Sequence, residues 1–201
     1  MPGRGNAGQR HGDTAPVIAV FGSSAGRPGE PAYEEARACG RLLAEAGYAV
    51  ATGGYAGTME ACSRGAAEAG ARVIGVTAPA AFPGRSGANA WVGEEWPAPS
   101  ITERLHHIMG ISAAGITLDG SIGTLTELLV AWNVAYIARL GGQEPKPVIA
   151  VGPSWAWLVP ALAEAIDTDA SLVALVPDVE AAVAEVGRRV PPATRRPGRG
   201  S

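Results

Sequence analysis

The 201-residue chain reads as an α/β protein: a doubly wound parallel sheet flanked by helices on both faces. Two observations predict this class. Short apolar runs such as Val17-Ile18-Ala19-Val20-Phe21 and Val73-Ile74-Gly75-Val76 lack the polar alternation of a half-exposed strand, so both sides of each strand are expected to be covered. Between them lie segments of helical length and period, which makes strand and helix alternate along the chain.

The elements follow in order. The first strand, 17–21, ends at Gly22, and the small residues 23–26 form a loop before a helix over 31–46. Gly47 reads as that helix's C-terminal cap, residues 48–52 as the second strand, and Gly53-Gly54-Tyr55-Ala56-Gly57 as a glycine-rich turn into a helix over 58–69. The third strand is 72–77. From 78 to 99 no period survives among Pro, Gly and Trp. A loop of that length after a strand's C-terminal end suits an active-site flap, with Trp91 and Trp96 either stacking surfaces or simple packing. Ser100 and Glu103 form a capping box for a helix reaching about 113.

The next unit is the densest in signal. Ile116-Thr117-Leu118 predicts a buried strand, Asp119 to Thr124 a second glycine turn, and 125–140 a helix with Leu128, Leu129, Trp132, Tyr136 and Leu140 as its apolar face. Residues 147–151, about 155–165, 172–176 and 179–190 complete the alternation as strand, helix, strand and helix, the last capped by Asp178. Parallel sheets place ligands at the carboxyl ends of their strands, where strand order reverses. The loops at Gly22, Gly53 to Gly57 and Gly120 to Gly123 all lie at such ends and are expected to converge.

Composition bounds the function. The body, 17–190, is expected to be one domain, with disordered ends at 1–16 and 191–201. Net charge is −3, yet Arg188, Arg189, Arg195, Arg196 and Arg199 make the tail basic, which leaves the body acidic. That argues against a nucleic-acid partner. No apolar run is long enough for a membrane helix and the head has no apolar signal core, so a cytoplasmic protein is expected. The two cysteines, Cys39 and Cys62, fall in helices and offer no metal spacing. Neither a metal nor a cofactor is expected.

Two turns of the form Gly-x-x-Gly-Thr, each opening a helix, suit a phosphate. Glycine admits close backbone approach, and the unpaired N–H groups of a new helix carry the positive end of its dipole. Neither turn has the lysine of a Walker loop or dinucleotide spacing, which favours a mononucleotide or sugar phosphate.

The same residues carry a family resemblance. Gly53-Gly54-Tyr55-Ala56-Gly57-Thr58-Met59-Glu60-Ala61, with Gly65-Ala66 and Val73 to Val76, resembles the first signature of the LOG ("Lonely guy") family, the lysine-decarboxylase-like Rossmann proteins of the SLOG superfamily. Asp119 to Glu127 resembles its second, Pro-Gly-Gly-x-Gly-Thr-x-x-Glu, and Trp132, Lys146 and Pro147 fall in register. The resemblance implies a Rossmann-like homodimer that takes a nucleoside 5′-monophosphate such as AMP and hydrolyses its N-glycosidic bond to free base and ribose 5-phosphate. The implied catalytic pair is Glu127 with Arg104, the latter matching the arginine of a Met-His-Glu-Arg-Lys segment. Phosphate and nucleotide would be held by Gly22, Ser23, Gly53, Gly54, Gly57, Thr58, Met59, Gly120, Ser121, Ile122, Gly123 and Thr124. Glycoside cleavage builds positive charge on the ribose, so a carboxylate beside it fits the chemistry.

Three positions depart from the pattern: Asp119 stands for its proline, Ser121 for its second glycine and Leu105 for its lysine. An aspartate beside a phosphate seat repels the ligand unless it turns away. These departures support the alternative, a non-catalytic protein that holds a nucleotide or phosphorylated cofactor, as molybdenum-cofactor carrier relatives do.

Overall fold

The computed structural model describes residues 15–192 except Ser86. Seven strands, β1 (Val17–Phe21), β2 (Ala49–Thr52), β3 (Val73–Thr77), β4 (Glu94–Pro97), β5 (Ala114–Thr117), β6 (Val148–Val151) and β7 (Val173–Val176), form one sheet. Its order is β4-β3-β2-β1-β5-β6-β7, and every neighbouring pair is parallel. Six helices accompany it: α1 (Pro31–Glu45), α2 (Thr58–Glu68), α3 (Ile101–Ile111), α4 (Ile122–Leu140), α5 (Pro153–Ala165) and α6 (Val179–Arg189).

The Rossmann-like architecture expected from the alternation is therefore present. Strands β1, β2, β5 and β6 are buried on both sides, and their side chains divide between two cores. Ile18, Val20, Val50 and Ile149 point toward α1, α2 and α6, whereas Val17, Ala19, Phe21 and Ala51 meet Ile108 of α3. Helices α4 and α5 close the same side over β6 and β7 through Leu128, Trp132, Trp155 and Val159. Of the apolar face expected on α4, Leu128 and Trp132 are buried while Leu129 and Leu140 are exposed.

Sequence and structure differ at three places. The segment Glu94–Pro97, expected to be loop, pairs with β3 as the sheet's edge. It is held by polar partners instead of an apolar period: Arg72 donates to Glu94 at 2.6 and 2.8 Å, and Thr77 to Glu95 at 2.7 Å. Strand β5 begins two residues before the expected run, because Ala114 and Gly115 carry too little apolar bulk to announce it. Helix α4 starts at Ile122, inside the expected turn. Most of the expected head and tail, 1–14 and 193–201, lies outside the described residues.

Helices α1 and α2 cross at backbone contact. A Cβ on Gly40 would sit 2.0 Å from the Cys62 carbonyl oxygen, and one on Gly65 would sit 1.9 Å from that of Arg37. Substitution Gly40→Ala must therefore push the helices apart, and overpacking of this kind costs about 1–3 kcal/mol. Urea unfolding should show that loss, with the slope of the transition unchanged.

Candidate functional site

Strand order reverses between β1 and β5, so the loops leaving these strands part at their carboxyl ends and open a crevice. The turn after β2 is locked to the β1 loop. Thr58 donates from both its amide and its hydroxyl to the Ser23 carbonyl at 3.0 Å. Gly57 has φ +75°, and a Cβ there would fall within 2.6 Å of Ser23 to Ala25 backbone atoms; a Cβ on Gly22 would meet the Thr58 hydroxyl at 2.3 Å. Gly57 needs glycine because two backbones pass each other there, whereas Gly22 leaves room for the Thr58 side chain.

On the other side of the crevice, Ser100 caps α3 by accepting from the Glu103 amide at 3.2 Å, which sets Arg104 in the helix's first turn. The Arg104 Nε donates to the Val76 carbonyl at 2.7 Å, and Nη1 to Glu127 Oε1 at 3.2 Å. The guanidinium lies against Gly53, where a Cβ would come 1.8 Å from Nη2. Both members of the pair are buried, each 8% exposed. Burial pushes the Glu127 carboxyl up to about 7, against the opposing charge and hydrogen bond of Arg104.

The pair forms the floor of a cavity of about 410 Å³, a size that suits a small-molecule ligand. Met59, Phe82, Ile101, Leu105 and Ile122 give it an apolar wall; Ser24, Arg85, Ser121, Thr124 and Thr126 add polar groups. The cavity reaches the N-terminus of α4, whose first-turn amides have no acceptor within the helix. Ser121 stands at the N-cap, and its side chain makes no cap hydrogen bond.

Of the residues expected at the site, Gly22, Met59, Arg104, Ser121, Ile122, Gly123, Thr124 and Glu127 line this cavity. Ser23, Gly53, Gly54, Gly57, Thr58 and Gly120 do not, and Gly120 lines a neighbouring depression instead. Gly54 has φ +76° and packs on Gly75 and Thr77, while Gly120 leaves room for the Thr124 hydroxyl, which a Cβ would meet at 2.0 Å. Asp119 does not line the cavity but the same depression, with Ser154, Trp155 and Leu158. That depression also takes in Gly120, Ser121 and Ile122, so the N-terminus of α4 borders both hollows and Asp119 flanks it.

Several lining residues escaped the sequence reading. In the segment between β3 and β4, Phe82 and Arg85 reach the cavity, whereas Trp91 lies under the Arg64 guanidinium and Trp96 sits on the edge strand. Trp132 and Lys146, in register with the resemblance, serve the frame: Trp132 donates to the Asp169 carbonyl and Lys146 to that of Met109. Among the described residues no group of three or more His, Cys, Asp or Glu side chains is placed to hold a metal. No helix among them is long and apolar enough to cross a membrane.

The raised Glu127 pKa has a definite sign in stability. Between about pH 4.5 and 7 the folded carboxyl keeps a proton that the unfolded chain releases, so this group's contribution is full below that window and is lost as pH rises through it. Glu127→Gln removes the titration. The stability of wild type minus Glu127→Gln, measured by denaturant unfolding, should fall between pH 5 and 8 by up to about 3 kcal/mol.

Comparison with known proteins places this geometry. The solved structure of a molybdenum cofactor binding protein from the phototrophic bacterium Rippkaea orientalis is similar over 86% of this chain and 96% of its own, with TM-score 0.67 and 23% identity. The molybdenum cofactor carrier protein of Chlamydomonas reinhardtii is similar over 87% of this chain and 98% of its own, with TM-score 0.63 and 26% identity. No curated protein matches the chain by sequence. The model of the SLOG cluster4 family matches residues 15–182, nearly the whole of the described sheet and its helices, and the chain belongs to that family.

Proposed function

We propose that the protein binds and carries a phosphorylated ligand with a flat heterocycle, either a nucleoside monophosphate such as AMP or a phosphorylated cofactor of the molybdenum-cofactor kind. The observation that carries this reading is the cavity itself, which joins an uncapped helix N-terminus to an apolar wall. A phosphate at the amides of Ile122 to Thr124 gains about 0.3–1 kcal/mol from the helix dipole, and more where partly buried. Met59, Ile101 and Leu105 offer a surface on which a ring can lie. A pterin with a terminal phosphate fits the same donor set as a nucleotide. The similarity to two proteins described as binding or carrying the molybdenum cofactor supports carriage over cleavage.

One observation favours the second reading, an N-glycosidic phosphoribohydrolase. A carboxyl near pH 7 is poised to exchange a proton at neutral pH. Glu127 would then stabilise charge on the ribose or orient water, with Arg104 holding the phosphate or the leaving base. In the structure Arg104 spends Nε on the Val76 carbonyl and Nη1 on Glu127 while lining the cavity, so its remaining N–H groups are the ones that would meet substrate. A homodimer belongs to either reading. Helix α4 leaves Ile122, Leu129, Ile137 and Leu140 exposed along one side, a stripe suited to a second copy.

Calorimetry with AMP, other monophosphates and the molybdenum cofactor, run beside chromatography of the products, separates the readings. Carriage predicts saturable binding and no release of base over hours. Base release that Glu127→Ala abolishes would replace it with hydrolysis, and absence of binding would remove both.

A further inference from the structure

The cavity contains two arginines, and they are not equivalent. Arg104 is committed to Glu127 and the Val76 carbonyl and is buried. Arg85 has no carboxylate partner among the described residues. Its guanidinium instead sits over the rings of Tyr55, at 4.6 Å, and Phe82, at 4.5 Å. The two rings meet edge to face, 5.5 Å apart at 73°, so the cation lies in the angle between them.

The rings are themselves fixed. The Tyr55 hydroxyl accepts from the Ala78 amide at 2.7 Å, and the Asn89 side-chain amide donates to the carbonyls of Gly54 and Tyr55, both at 3.0 Å. The segment bearing Arg85 is thereby tied at both ends to the glycine turn after β2. An arginine held by ring faces keeps its N–H groups free to bond other partners, and its planar fork matches a phosphate. Arg104 already spends Nε and Nη1 on the Val76 carbonyl and Glu127, whereas Arg85, on the same lining, is bonded to no carboxylate among the described residues and is free to meet an anion.

Taking as given the reading that the cavity accepts a phosphorylated ligand, we infer that Arg85 is the residue that recognises the ligand's phosphate by charge. It selects phosphorylated over unphosphorylated forms, acting together with the α4 N-terminus that lines the same cavity. The aromatic pair Tyr55 and Phe82 positions it: the stacking restricts the long side chain before the ligand arrives, so less freedom is lost on binding.

The test is the affinity of wild type, Arg85→Ala and Arg85→Lys for AMP and for adenosine, measured by calorimetry at low and high salt, with thermal melts to confirm folding. Arg85 is half-buried on a loop, so the variants should melt close to wild type. Arg85→Ala should weaken AMP about 10- to 100-fold, the range for loss of a charged hydrogen bond, and leave adenosine unchanged. Arg85→Lys should recover part of the loss, and the salt dependence of AMP binding should shrink in Arg85→Ala. Equal loss for AMP and adenosine would make Arg85 a prop for the loop and overturn the assignment, as would an unchanged AMP affinity. Failure of wild type to bind AMP would overturn this assignment, whereas the phosphate seat falls only if the other monophosphates and the molybdenum cofactor fail to bind as well, so the two failures are distinguishable.

Discussion

The ion pair between Arg104 and Glu127 is the constraint from which the rest of the site follows. Removing two charges from water costs several kcal/mol per ion, and the attraction between them recovers this only when hydrogen bonds fill the remaining valences. Here Val76 supplies one such bond, from the end of β3. The pair therefore ties three elements together: α3 through Arg104, α4 through Glu127, and the sheet through the Val76 carbonyl. Gly53 is required because a guanidinium occupies the space its side chain would take. A buried pair of this kind is not the most stable way to fill a core, since apolar residues of similar size often do as well or better. Its position on the floor of a cavity gives it another use.

Around that floor the charges are asymmetric. Glu127 is lifted toward neutrality by burial, and Arg104 only partly opposes the shift. The helix N-terminus of α4 supplies positive potential from its backbone, and Arg85 supplies it from the loop. Asp119, which works against both, lines the adjoining depression with Ser121, Ile122 and Trp155 instead of the cavity itself. The arrangement suits an anionic group near the α4 N-terminus and an uncharged ring against the apolar wall, which is the shape of a nucleotide or a phosphorylated pterin.

The frame was legible in the sequence because its signals are local. Apolar strand runs, the Ser100 and Asp178 caps and the glycine turns are each written within a few residues, and the family resemblance named Arg104 and Glu127, whose side chains meet at 3.2 Å. The edge strand was not legible. Glu94 to Pro97 has no apolar period, and its pairing depends on Arg72 and Thr77, some twenty residues earlier. The role of the glycines was only half legible: their type shows that a backbone must pass closely, but not whether its neighbour is a ligand or another loop. At Gly57 the neighbour is the β1 loop, at Gly53 the Arg104 side chain. Arg85 was missed because stacking between Tyr55 and Phe82 spans thirty residues and leaves no spacing to read. Within the same loop the tryptophans drew attention, and the cavity took Phe82 instead.

A crystal structure of the protein soaked with AMP tests the central claim most directly, namely that the crevice between β1 and β5 is the ligand site. The account predicts density with the phosphate on the amides of Ile122 to Thr124, the ring against Met59 and Leu105, and Glu127 still bound to Arg104. AMP bound in the depression beside Asp119 and Trp155, with the cavity empty, would contradict it.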